Sequence, residues 1–240
     1  MFINDDAFLD CNELKSISIP SSVELIGNGA FFGCSKLEDV SFENESKLKT
    51  IDIFAFKFCE ELKSISIPSS VELIGNDAFY NCSKLENVSF KENSKLNKIE
   101  EYTFISCMEL KSISIPSSVE SIGHGAFFEC SKLENVSFEE NSNLTNINES
   151  AFSYCKELKS ISIPSSVKSI GNGAFSRCSK LGNLSFEENS NLTNINESAF
   201  DSCEELKSIS IPSSVKSIGK EAFCGCSKLE NVSFKENSNF

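Results

Sequence analysis

Hydrophobic residues recur along the chain in a short motif in which they alternate with polar residues. In one copy of the motif the apolar positions are Leu62, Ile65 and Ile67, followed at once by Pro68. Alternation of β-branched and polar residues is typical of a half-buried β-strand, and proline ends such a strand. The copy continues with Ile-Gly and then Ala-Phe-x-x-Cys, which ends at Cys82. This second part predicts a short extended segment and one helical or tight turn, with the glycine permitting the bend.

The motif repeats with a fixed period over the whole chain. The five prolines are 48 residues apart, from Pro20 to Pro212, and each period splits into two half-units. Ten cysteines close an Ala-Phe-x-x-Cys motif, with Thr103 replacing alanine once, and their spacing alternates between 23 and 25 residues. Such a period indicates a solenoid in which each half-unit forms one coil. We therefore predict that residues 1–240 form a single solenoid of about ten alternating 23- and 25-residue repeats, the first and last incomplete.

Charged residues flank the leucine of every strand motif and predict how the coils stack. Short repeats carry Glu-Leu-Lys and long repeats carry Lys-Leu-Glu, so that Glu61, for example, has Lys36 and Lys84 at the same position in the neighbouring repeats. Stacking in register places these opposite charges on adjacent strands, in two columns. Gly182 is the one residue that interrupts the columns.

Composition and charge narrow the classes of function. Forty per cent of the residues are hydrophobic and 24% are charged, which is typical of a soluble globular protein. The net charge is -13 and lysines are interspersed with glutamates, so the clustered basic surface that nucleic-acid binding requires is missing. No apolar run reaches the roughly 18 residues of a membrane helix, and the N-terminal residues do not form a signal peptide. We expect no nucleic-acid partner, no membrane insertion and no signal or anchor in this sequence.

The repeat resembles the BspA-like subclass of leucine-rich repeats, whose unit reads Leu-x-x-Ile-x-Leu-Pro-x-x-Leu-x-x-Ile-Gly-x-x-Ala-Phe-x-x-Cys. The resemblance covers essentially the entire chain and recurs ten times. It implies a mainly β fold, a right-handed curved leucine-rich-repeat solenoid with a parallel concave sheet, short convex strands and helical turns. It also implies a surface or secreted protein involved in adhesion and host-protein binding, although a cytoplasmic location stays open. The family as a whole shares no catalytic residues and no cofactor.

Cysteine and histidine offer little chemistry in this pattern. Ten of the eleven cysteines follow the repeat period, so we interpret them as small buried side chains rather than as clustered metal ligands. Cys224 lies outside the period and is the cysteine most expected to be exposed. His124 is the only histidine, and no unique serine, cysteine or carboxylate is near it in sequence. We expect no enzyme activity, no metal site and no cofactor.

Two surfaces are candidates for binding a partner. The expected concave face carries a serine in the middle of every strand beside a column of mainly serine and asparagine, and its candidate residues are Ser66, Asn87, Ser89, Ser114, Asn135 and Ser137. The residue after each Ala-Phe forms a lateral apolar stripe, whose candidates are Phe32, Tyr80, Ile105 and Phe128. The same position is polar from Ser153 onwards. An exposed apolar stripe often marks a contact surface, but packing of the stripe under a neighbouring coil is equally compatible with the sequence.

The leading hypothesis is a non-catalytic module for protein binding or adhesion, with a host or cell-surface protein as its partner. The alternative is a structural or intracellular scaffold that assembles through its lateral face or its open ends. Solenoids normally need polar capping repeats. Because the sequence begins and ends inside a repeat, we expect either that it is a piece of a longer protein or that its open ends pair, for example in self-association through uncapped ends.

Overall fold

The computed structural model describes residues 1–236, and within them it contains strands and turns but no helix. Each coil contributes one strand of four residues and one strand of two. The four-residue strands are β2 (Ser16–Ile19), β4 (Asp39–Phe42), β6 (Ser64–Ile67), β8 (Asn87–Phe90), β10 (Ser112–Ile115), β12 (Asn135–Phe138), β14 (Ser160–Ile163), β16 (Asn183–Phe186), β18 (Ser208–Ile211) and β20 (Asn231–Phe234). The two-residue strands are β1 (Phe2–Ile3), β3 (Leu25–Ile26), β5 (Thr50–Ile51), β7 (Leu73–Ile74), β9 (Lys98–Ile99), β11 (Ser121–Ile122), β13 (Asn146–Ile147), β15 (Ser169–Ile170), β17 (Asn194–Ile195) and β19 (Ser217–Ile218).

Strands of each type stack in parallel on one another. The four-residue strands from β2 to β16 form an 8-stranded sheet, and β18 pairs with β20. The two-residue strands form a 4-stranded sheet from β1 to β7 and a 6-stranded sheet from β9 to β19. The chain is thus a mainly β solenoid of parallel strands, as the sequence predicts. Residues 237–240, which the predicted solenoid includes, lie outside the described residues.

Of the helical or tight turn expected at Ala-Phe-x-x-Cys, the structure has the tight turn, because the segment forms consecutive hydrogen-bonded turns and no helix. One residue with positive φ precedes the alanine and another precedes the cysteine, such as Asp77 (φ 56) and Asn81 (φ 55). Left-handed residues at this spacing interrupt a right-handed helix. Nothing among residues 1–236 forms a helix long and apolar enough to cross a membrane.

The glycine of the Ile-Gly motif serves close packing rather than the expected bend. A Cβ atom added to Gly75 would lie 2.6 Å from the backbone nitrogen of Ile53 in the preceding coil. Such a distance is below any normal contact. The glycine therefore allows the coil to approach its neighbour.

Columns of identical side chains fill the interior. Ten phenylalanine rings from Phe8 to Phe223 stack in nearly parallel planes, with centroids 5.0 to 5.3 Å apart. The cysteines form a second column, in which the thiol of Cys82, for example, donates a hydrogen bond of 3.2 Å to the carbonyl of Phe56 in the preceding coil. The periodic cysteines are therefore structural. Cys224 is exposed, as predicted, and so is Cys11 in the first coil.

Ion pairs connect the four-residue strands, and they all run in one direction. Lys84 Nζ lies 2.6 Å from Glu61 Oε1, which confirms the predicted register. In each pair the lysine of the later strand reaches back to the glutamate of the earlier strand, so Glu61 pairs with Lys84 and not with Lys36. The pairs are Glu13–Lys36, Glu38–Lys63, Glu61–Lys84, Glu86–Lys111, Glu109–Lys132, Glu134–Lys159, Glu157–Lys180 and Glu205–Lys228.

Candidate protein-binding surfaces

The residues predicted for the concave face lie together on one side of the four-residue strands. Asn87, Ser89, Ser114, Asn135 and Ser137 are exposed, and Ser66 is half-buried. The register pairs Ser66 with Ser89 and Ser114 with Ser137, so the hydroxyls form rows across the sheet. We call this surface the long-strand face. It offers many hydrogen-bonding groups but none of the large aromatic or arginine side chains that usually anchor protein interfaces.

The predicted lateral stripe is not a continuous exposed apolar surface. Phe32, Tyr80, Ile105 and Phe128 are all half-buried. Phe32 and Tyr80 contact the ring of Phe58, and Phe128 contacts the ring of Tyr154. Phe58 and Tyr154 each lie two residues after the motif phenylalanine of their own coil. The structure therefore brings the stripe together with side chains from a second column.

Phe58 is the ring that joins the stripe residues of the N-terminal coils. Its centroid lies 5.5 Å from that of Phe32 and 5.4 Å from that of Tyr80, with both pairs close to perpendicular. Edge-to-face contacts of this kind are favourable for aromatic rings. We call the set Phe32, Phe54, Lys57, Phe58, Asp77 and Tyr80 the lateral aromatic cluster.

Lys57 lies at the centre of the lateral aromatic cluster. Its ammonium is 4.1 Å from the ring centroid of Tyr80 and 4.5 Å from that of Phe54. The carboxylate of Asp77 is 3.4 Å from the same nitrogen, and the Lys57 side chain is only 18% exposed. A cation over aromatic faces that is also paired with a carboxylate is held in a defined position.

Two phenylalanines of the cluster adopt a strained backbone conformation. Phe54 has φ 59 and Phe58 has φ 62, and most other repeats have glycine, aspartate, asparagine or serine at these two positions. The left-handed conformation costs a bulky residue about 1–2 kcal/mol. Phe54 and Phe58 were not predicted from the sequence, because the lateral stripe was defined only by the residue directly after Ala-Phe. Their signal is an aromatic residue where the repeat otherwise favours small or turn-forming residues.

Further contacts extend the lateral surface beyond the cluster. Phe128 lies 5.2 Å from the ring of Tyr154, over which the guanidinium of Arg177 lies at 5.2 Å. His124 packs edge-on against Tyr102, with ring centroids 4.9 Å apart. Burial and the carboxylate of Glu101 raise the pKa of Tyr102, so its phenol stays protonated at neutral pH.

The buried cysteines are chemically quiet. Burial raises the pKa of Cys34 to about 11 and that of Cys178 to about 12. Thiols with such pKa values stay protonated and unreactive at neutral pH. Within the described part of the chain, no three histidine, cysteine, aspartate or glutamate side chains are grouped as metal ligands would be.

Similar solved structures are bacterial leucine-rich repeat proteins. The pneumococcal vaccine antigen PcpA is 28% identical, with 94% of this chain and 63% of that chain covered and a TM-score of 0.58. A leucine-rich repeat protein of T. pallidum is 29% identical, with 75% of this chain and 71% of that chain covered and a TM-score of 0.50. A leucine-rich cell surface protein of Faecalibacterium prausnitzii is 27% identical, with 99% of this chain and 83% of that chain covered and a TM-score of 0.47.

The chain spans less than two thirds of the PcpA chain that it matches. No curated protein sequence matches it significantly. A family model described as BspA type leucine-rich repeat region (6 copies) matches residues 1–107 and 97–230. This match covers nearly the whole repeat array. The chain therefore belongs to the BspA-type leucine-rich repeat family.

Proposed function

We propose that the chain is a non-catalytic protein-binding module that works at the cell surface, and that the lateral aromatic cluster contacts its partner. The observation that carries this proposal is the occurrence of phenylalanine at positions 54 and 58, where every repeat has a left-handed backbone and most repeats have glycine, aspartate, asparagine or serine. A bulky ring at such a position has an energetic cost, and costs of this kind are tolerated at functional sites. The description of the similar protein PcpA as a vaccine antigen supports a surface location.

The composition of the cluster suits a protein interface. Tyrosine and other aromatic residues contribute a large contact area with few rotatable bonds, and they are enriched where interfaces are most sensitive to mutation. Ring contacts and the Lys57–Asp77 ion pair fix the side chains before a partner arrives. A pre-organised surface loses less entropy on binding. The exposed serines and asparagines of the long-strand face offer a separate surface for hydrogen bonds to a partner.

Site-specific photo-crosslinking tests the proposal. A photoreactive phenylalanine analogue at position 80 probes the cluster, and the same analogue at position 201 is the matched control. Tyr80 and Asp201 both directly follow the motif phenylalanine, but Asp201 lies among the polar C-terminal coils. After incubation with extracts of surface-labelled cells, we expect a saturable crosslink to a surface protein from position 80 only.

A second variant separates binding from stability. Phe58→Asn removes the central ring and places a residue that tolerates positive φ at this position. We expect this variant to unfold at the same temperature as the wild-type chain. Added as an unlabelled competitor, it should be at least tenfold less effective than the wild-type chain in preventing the crosslink from position 80. Equal crosslinking from positions 80 and 201, or full competition by Phe58→Asn, would contradict the proposed contact surface.

A further inference from the structure

Three repeats contain the same internal carboxylate-binding arrangement after the proline of the short repeat. The backbone N–H of Ser21 donates a hydrogen bond of 2.9 Å to the carboxylate of Glu43, which comes from the loop of the next coil. The N–H of Ser117 binds Glu139 and the N–H of Ser165 binds Glu187 in the same way, both at 2.9 Å. The solenoid thus shows which chemical group fits this position.

The arrangement at Ser69 lacks its carboxylate. Lys91 stands where the other three repeats have glutamate, and its backbone N–H donates a hydrogen bond of 3.0 Å to the carbonyl of Ile67, just as Glu43 N–H binds the carbonyl of Ile19 at 3.1 Å. Within residues 1–236 the Ser69 N–H has no acceptor, and Lys91 has no ion-pair partner. Lys235 stands at the same position beside Ser213, so within residues 1–236 two repeats combine a free backbone donor with a lysine where the other three hold glutamate. The repeat with Ser69 and Lys91 differs from the last one in its surroundings.

A cavity of about 550 Å³ lies at this position. Its lining includes Ser69 and Lys91, together with Ser64 and Ser66 of the long-strand face. The volume is within the range of sites that accept small ligands or side chains. Ser66 is one of the binding residues predicted from the sequence, so the cavity places that residue beside the free donor.

The other side of the cavity carries two acidic residues that also depart from the repeat. Asp39 replaces the asparagine that begins the other long-repeat strands, and Glu45 replaces the asparagine found in the other long-repeat loops. Both residues line the cavity. Asp39 and Glu45 therefore bring two additional carboxylates beside Lys91. Glu43, which is bound to the Ser21 N–H, also lines the cavity. A lone anion would meet the carboxylates of Asp39, Glu43 and Glu45 as like charges, so the occupant also needs a positive group.

We propose that this cavity binds a peptide segment of a protein partner that carries neighbouring acidic and basic side chains. The acidic side chain takes the place of the missing glutamate and accepts hydrogen bonds from the Ser69 N–H and the Lys91 ammonium. The basic side chain lies against Asp39 and Glu45. Charge-assisted hydrogen bonds of this type are stronger than neutral ones. The inference rests on the proposed protein-binding function and specifies the chemistry of one contact.

An NMR titration with a blocked dipeptide tests the site directly. Acetyl-Glu-Lys-amide is added to the ¹⁵N-labelled chain, and the Ser69 amide signal reports binding. The Ser117 amide, whose N–H is already bound by Glu139, is the internal control. We expect a saturable shift at Ser69 and none at Ser117, with acetyl-Gln-Lys-amide and acetyl-Glu-Gln-amide each binding several-fold more weakly.

Variants that restore the repeat's own residues provide the matched controls. Lys91→Glu supplies the internal carboxylate and should weaken dipeptide binding by at least about tenfold, while Asp39→Asn should weaken it several-fold. Both substitutions introduce residues that equivalent positions already hold, so the fold is expected to persist. Conversely, Glu139→Lys frees the N–H of Ser117, but Asn87 and Asn93 stand there in place of Asp39 and Glu45, so this amide should respond to the dipeptide several-fold more weakly than Ser69.

Two results would overturn the inference. One is the absence of a saturable Ser69 shift at tens of millimolar dipeptide, and the other is an undiminished shift in Lys91→Glu. Crosslinking through position 80 reports on the lateral aromatic cluster separately. Crosslinking without a Ser69 response would therefore remove the cavity proposal alone, whereas a saturable Ser69 response supports it whether or not the lateral cluster binds a partner.

Discussion

Lys63 Nζ lies 2.7 Å from the carboxylate of Glu38, whereas Lys207 at the same repeat position has Gly182 where that glutamate would be. At this junction β16 and β18 still lie side by side, but no strand pairing joins them. The Lys63 N–H bonds the Glu38 carbonyl at 3.4 Å, but no such bond joins Lys207 and Gly182 in the described chain. Loss of one side chain thus coincides with the loss of an ion pair and of a backbone hydrogen bond.

Gly182→Glu is expected to strengthen this junction. A Cβ atom at position 182 would lie 3.5 Å from the carbonyl oxygen of Glu205, which is an ordinary contact, so the site has room for a side chain. We expect a rise in Tm of at most about 3 °C at low salt, since exposed ion pairs contribute little. Gly182→Gln is the control for size without charge. An equal rise for both variants, or a rise that persists in 1 M salt, would contradict the ion pair as the cause.

The repeat architecture could be predicted from the sequence because identical residues at a fixed period must stack into columns. Ile65 and Val88 illustrate this, since they occupy the same motif position and pair across the sheet. The alternation of Glu61 and Lys84 fixed the register for the same reason. The direction of the ion pairs could not be predicted, because a glutamate such as Glu61 has a lysine one coil away on both sides and the sequence does not specify which way the side chains lean.

The lateral aromatic cluster was only partly predictable. Phe32 and Tyr80 could be identified from the sequence because they break the period. Their shared contact with Phe58 depends on the left-handed backbone conformation of Phe58, which places its ring between them. A period seen in sequence gives the position of a residue and not its backbone conformation. The cavity beside Ser69 was missed although Asp39 and Glu45 depart from the repeat, because only the folded strands show that these residues lie beside Lys91.

Acid is expected to weaken the solenoid through its ion pairs. Hydrogen bonds from lysines lower the pKa of Glu38, Glu86 and Glu134 below their ordinary value of 4.5. In the unfolded chain these carboxylates take up protons near pH 4.5, while in the folded chain they do so only at lower pH. Their contribution to stability is therefore present above pH 4.5 and is lost as the pH falls through the lowered values.

Urea unfolding at a series of pH values measures this effect. The triple variant Lys63→Gln, Lys111→Gln and Lys159→Gln removes the lysine partners while leaving the carboxylates. We expect the urea midpoint of the variant to fall less steeply than that of the wild type between about pH 5 and pH 3. Identical pH dependences of the two proteins would show that the ion pairs do not cause it.

Thiol labelling should distinguish two exposed cysteines from the buried column. Cys11 and Cys224 are exposed, whereas Cys34 to Cys203 are buried and donate hydrogen bonds to phenylalanine carbonyls. At pH 8 iodoacetamide should alkylate Cys11 and Cys224 within minutes and the buried cysteines only after unfolding, because burial raises their pKa. Peptide mass spectrometry before and after addition of guanidinium measures the difference. Labelling of Cys130 as fast as Cys224 in the native chain would contradict the buried column.

The phenylalanine stack should depend on position along the solenoid. Phe127 is fully buried between Phe104 and Phe152, with ring centroids 5.3 and 5.1 Å away, while Phe223 is half-buried and stacks on Phe200 alone within the described chain. Phe127→Ala leaves a cavity in a continuous column, and we expect it to lower the free energy of unfolding by about 3–5 kcal/mol. Phe223→Ala should cost at most about half as much, because solvent already reaches its ring. Urea unfolding followed by circular dichroism measures both, and equal losses would show that the rings stabilise their own coils rather than the contact between coils.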